Sequence, residues 1–197
     1  MLDRALKAAD WLGLRAVWAG GALLVAAALT VSVDVLARKL FAVSLGGADE
    51  LSGYAFAIGS AWAFPFALLH RANVRVDALY ERLPPKLCAL LDILAIVALG
   101  VFAVFLARYA WDVMATSWSL SSRSNSALKV PLWIPQALWV SGLGLFLATL
   151  VLLLARALRA LAGGDWAWIR ATLGARSVVE EAEEETAYAR ALERKPR

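Results

Sequence analysis

The chain has 197 residues, 61% of them hydrophobic and 18% charged, with a net charge of +4 and a mean hydropathy of +0.66. Water-soluble domains run near half apolar and about a quarter charged, so much of this surface needs a solvent other than water. One Cys and one His exclude a disulfide framework, a multi-cysteine zinc site and bis-histidine haem ligation.

About 20 apolar residues make one helical crossing of a hydrocarbon core roughly 30 Å thick. Four segments meet that demand, at about residues 16–36, 50–70, 87–108 and 131–155. They define an all-α integral membrane protein with a four-helix membrane domain over residues 1–155 and a cytoplasmic amphipathic and charged tail over 156–197. The first segment follows a basic start and could be mistaken for a signal peptide. Its apolar stretch exceeds the roughly 7 to 15 residues of a signal core, and three further spans follow, so it reads as a retained helix. The second lies between Glu50 and His70. The third lies between Lys86 and Arg108, with Asp92 its one formal charge. The fourth is uncharged from Val130 to Ala155.

Orientation follows from the basic residues. With four spans the termini share a side with the loop between spans two and three. That side carries Arg4, Lys7, Arg15, Arg71, Arg75, Arg82, Lys86, Arg156, Arg159, Arg170 and Arg176, against Arg38, Lys39, Arg108, Arg123 and Lys129 opposite. The positive-inside rule places both termini in the cytoplasm of a bacterial inner membrane. The basic residues flank apolar runs, which suits anionic lipid headgroups and not nucleic acid.

The connections carry their own signals. Ser117 to Ser126 reads as a flexible outer loop, with Pro131 at a first helical position. On the inner side Val76, Leu79, Tyr80 and Leu83 recur at helical spacing among Asp77, Glu81 and Arg82, which predicts a short interfacial helix closed by Pro84 and Pro85. After Ala155 a basic, Trp-bearing stretch around Gly163-Gly164 is expected on the headgroups, followed by acidic Glu180 to Glu185 and a basic end.

Ionisable groups inside a membrane are costly and mark functional candidates. Asp92 either faces a cavity or snorkels or pairs with a basic neighbour. Asp34, Arg38 and Lys39 lie near Asp49 and Glu50, in an ion cluster that ties helix ends together or meets another subunit. Asp49 and Glu50 also suit the first turn of their helix. His70 reads as an interfacial residue. Small residues at spacing four, Gly53, Ala57 and Ala61, then Gly144 and Ala148, permit close helix approach, while Pro65 and Pro135 are candidate kinks. Nucleophile-base pairs, phosphate loops and clustered metal ligands are missing, so neither an enzyme nor a cofactor is expected.

The acidic pair Asp49-Glu50, the stretch Arg71-Ala72-Asn73-Val74-Arg75-Val76-Asp77, Leu83-Pro84, and Pro131-Leu132-Trp133-Ile134-Pro135 occur in an order that resembles the small membrane (Q-type) subunit of tripartite ATP-independent periplasmic (TRAP) transporters. The resemblance covers about residues 15–155. Asn73 stands where the family often has His. The resemblance implies a sodium-coupled organic-acid importer. A periplasmic substrate-binding protein delivers cargo, a large multi-span permease subunit moves it, and this chain extends the membrane scaffold. It assigns partner contacts to Arg38, Asp49 and Glu50 outside and Arg71, Arg75 and Asp77 inside. Two other readings remain at this stage: an oligomeric proton-coupled exporter using Asp92 or Glu50, and a membrane anchor for a redox complex.

Overall fold

A computed structural model of the chain describes residues 2–72 and 83–174, together with Thr186. The expected interfacial helix, apart from Leu83, lies outside the described residues, as do Arg75, Asp77 and the acidic tail. The described chain is helical: α1 (Leu2–Phe41), α2 (Ala48–Leu69), α3 (Pro85–Ser119), α4 (Trp133–Ala162) and α5 (Trp166–Leu173). The first four are long and apolar enough to cross a membrane. Among the described residues no strand forms, only one isolated bridge between Arg123 and Pro131.

Helices are the expected answer because lipid offers backbone amides no partners, so each segment must satisfy its own. The hydroxyls follow the same logic: Thr30, Ser32, Ser60 and Thr149 each donate to the carbonyl four residues back. Three helices stop in the same way. Ala72, Ser122 and Asp165 each donate a backbone N–H five residues back, to Ala67, Ser117 and Ala160, all at 2.9 Å. The residue before each donor is left-handed, with φ 53° at Arg71, 48° at Ser121 and 69° at Gly164. This helix ending favours glycine, which only Gly164 supplies.

The helices outrun the expected spans. At 40 residues, α1 is about 60 Å long, twice the hydrocarbon thickness. α3 continues eleven residues past Arg108, through the start of the expected Ser-rich loop. α4 begins at Trp133, two residues after Pro131, so Pro131 pairs with Arg123 instead of opening the helix. Pro135 falls in the first turn of α4, where its missing N–H would have no helical acceptor. α2 runs unbroken through the buried Pro65.

α4 is the central element, packing on α1, α2, α3 and α5, while α1 packs chiefly on α2, and α3 on α4 and α5. The apolar core gathers toward the end of the bundle that holds α5, where Leu68, Ile93, Leu150, Leu153, Ile169 and Leu173 meet. Residues beyond Ala155 therefore extend the fold. Ala157, Ala160, Ile169 and Leu173 are buried in it, with Trp166 and Trp168 packed alongside.

Candidate functional site

At the end of the bundle opposite α5, two connections are fastened by acidic side chains. Asp34 is 1% exposed. Its carboxylate accepts from the Leu45 N–H at 2.6 Å and the Ser44 hydroxyl at 3.1 Å, and pairs with Arg38 one turn along. It thus holds the α1–α2 connection against the helix it leaves. Glu50 accepts from the Tyr54 hydroxyl, and Ser124 and Ser126 of the α3–α4 connection lie within hydrogen-bonding reach of it. That connection is tied as well, by Ser124 N–H to Val130 O and Leu132 N–H to Ser122 O. The two connections also touch: a Cβ on Gly47 would fall 2.5 Å from Leu128.

Of the residues expected to meet a partner at this end, Asp49 is exposed and Arg38 keeps about half its side chain free, while Glu50 is half-buried and turned toward its own chain. Asp34, expected only as one member of the outer ion cluster, is instead a buried fastener of its own chain. A signal for it exists: Gly13, Gly20, Ala27 and Asp34 recur every seven residues, and three of them are buried. They form one narrow line on α1. A short cleft between α2 and α4 is lined by Tyr54, Ala57, Gln136 and Trp139, and the Gln136 carboxamide oxygen is buried there without a partner among the described residues. Trp118 and Trp133 meet edge to face at 4.6 Å beside Arg123.

The α5 end is clasped differently, by polar side-chain contacts between distant segments. His70 Nε2 lies 2.9 Å from Asp10, and its ring stacks on Phe66. Arg156 bonds Asp3 at 3.1 Å and covers the Trp168 ring. Asp92 is 1% exposed, on the face of α3 turned to its neighbours, and is engaged there. Arg71 closes α2 in its left-handed turn and is likewise engaged.

Glycine decides how closely the spans meet. A Cβ on Gly20 would lie 2.9 Å from the Gly59 Cα, so α1 and α2 touch backbone to backbone. Gly142 does the same against Ala61 and Trp62, and Trp62 Nε1 donates to Leu138 O at 2.9 Å. The small-residue rows expected to do this work are only partly used. Ala61 is buried, but Gly53 and Gly144 face open space. Gly100 also meets nothing within 4 Å, and it lines an apolar groove of about 340 Å³ between α3 and α4.

These features define a four-span helical membrane protein whose chemistry lies on its surfaces. A family model described as the DctQ component of tripartite ATP-independent periplasmic transporters matches residues 27–161. That is more than half of the chain, which therefore belongs to this family: a transporter component and not an enzyme. No curated relative and no solved structure matches the chain.

Proposed function

We propose that this chain is the stationary small permease subunit of a sodium-coupled importer of an organic acid, such as a C4-dicarboxylate or related carboxylate. A periplasmic binding protein delivers the substrate, and the large permease subunit moves it against the scaffold that this chain extends. The carrying observation is membership of the small-component family over residues 27–161. The long apolar helices, with outward faces that remain exposed on this chain alone, suit a scaffold.

In this reading both termini are cytoplasmic, supported by the excess of Lys and Arg on that side, and anionic lipids gather at the basic flanks. Exposed Asp49 and half-free Arg38 remain candidates for contact with the partners outside, and Arg71, with Arg75 and Asp77, inside.

The test is reconstitution. Vesicles with both membrane subunits and the binding protein should accumulate the acid only under an inward sodium gradient, and vesicles with this chain alone should accumulate none. Uptake by this chain alone, or uptake indifferent to sodium, would refute the proposal.

A further inference from the structure

One stripe of α3 carries charge where a membrane protein rarely shows it. Val97, Val101, Val104, Arg108 and Asp112 follow one another at spacings of three and four, so they share a helix face. Val97, Val101 and Val104 line the apolar groove with Leu147, Val151 and Leu154 of α4. Directly beyond the groove Arg108 and Asp112 pair with each other, with 64% and 46% of their side chains exposed.

Packing register sets the depth of this pair. α3 and α4 run antiparallel with Trp118 against Trp133, so Arg108, ten residues back along α3, lies level with Leu143, ten residues along α4. Leu143 is near the middle of the uncharged run from Val130 to Ala155. It stands about 15 Å along the helix from the start of α4 at Trp133 and about 20 Å from Arg156. Taking the uncharged run of α4 as the span puts Arg108 near mid-depth and Asp112 one turn nearer the outer end, with Arg108 too deep for its side chain alone to reach headgroups. Charged groups at this depth face protein or water-lined space, not lipid tails. On this chain they face outward.

We infer that this stripe of α3, with the adjoining groove, is covered by a transmembrane segment of the large permease subunit. That segment presents hydrogen-bonding groups to Arg108 and Asp112 and apolar side chains to the groove. The assignment rests on the proposed function, because it takes its partner from there. An acyl chain would fill the groove but would leave the ion pair without polar neighbours.

The experiment uses the full chain carrying Cys88→Ala, co-reconstituted with the large subunit, with a nitroxide label at Val104→Cys or, as a control, at Leu29→Cys on the exposed side of α1. Oxygen accessibility at position 104 should fall several-fold when the large subunit is present and should stay unchanged at position 29. Arg108→Ala and Asp112→Ala should each lower the recovered large subunit by about tenfold or more, because one lone charge remains at the contact. The double variant should recover part of that loss. An accessible label at 104 in an assembled complex, or a label covered equally without the large subunit by a second copy of this chain, overturns the assignment and leaves the proposed function standing. Failure of the two subunits to associate at all overturns both.

Discussion

Along the seam between α1 and α2, Gly20 and Gly59 bring two backbones into contact, whereas beside the seam between α3 and α4 Gly100 opens onto a groove. The same residue closes one surface and leaves the other vacant. Lipid gives apolar helices little reason to associate, so closeness of backbones, and the dispersion it allows, determines which seams hold. The closed seam reads as internal structure. The groove, with a charge pair at its edge, reads as a surface awaiting another chain.

The sharpest way to break this comparison is to add the same side chain to a glycine of each kind. Gly142→Leu, at the equally tight seam between α2 and α4, would drive its side chain into Ala61 and Trp62, and should destabilise the isolated chain by about 3 kcal/mol or more. Gly100→Leu meets open space and should change stability by no more than about 0.5 kcal/mol, while weakening assembly with the large subunit. Thermal unfolding in detergent, followed by circular dichroism, separates the two. Equal losses would mean that both seams are internal.

A smaller effect is expected from Asp34→Ala, which removes the acceptor that holds Leu45 and Ser44. It should cost about 2 kcal/mol and expose the Leu45 amide to rapid hydrogen exchange, with amides across the Gly20–Gly59 contact still protected. The smallest effect should come from Ser121→Gly. Relieving a left-handed serine at φ 48° should stabilise the chain by up to about 1 kcal/mol. No gain in unfolding temperature would mean that the turn is not strained.

Much of this is legible in the sequence. Uninterrupted apolar runs announced four long helices, Pro84-Pro85 marked one of the breaks, and the ordered motifs pointed to the family that the chain belongs to. The site was less legible. Asp34 looked like one member of an outer ion cluster, and its neighbours along the heptad line were not recognised as a packing stripe. Gly53 and Gly144 had the spacing of a helix contact but face outward. Arg108 looked like the end of a span, yet its helix runs on to Ser119.

By itself the sequence determined that the chain lives in a membrane, how many helices it can send across, and which transporter family it joins, because apolar length and motif order are local properties. Only the tertiary structure decided which face of each helix is inward, that Asp34 is a buried fastener, and that Arg108 lies level with Leu143 of α4. In water an inward face betrays itself as the apolar one, but a helix that is apolar on all sides carries no such mark. Register is equally hidden, since it depends on how two helices meet and not on either one alone.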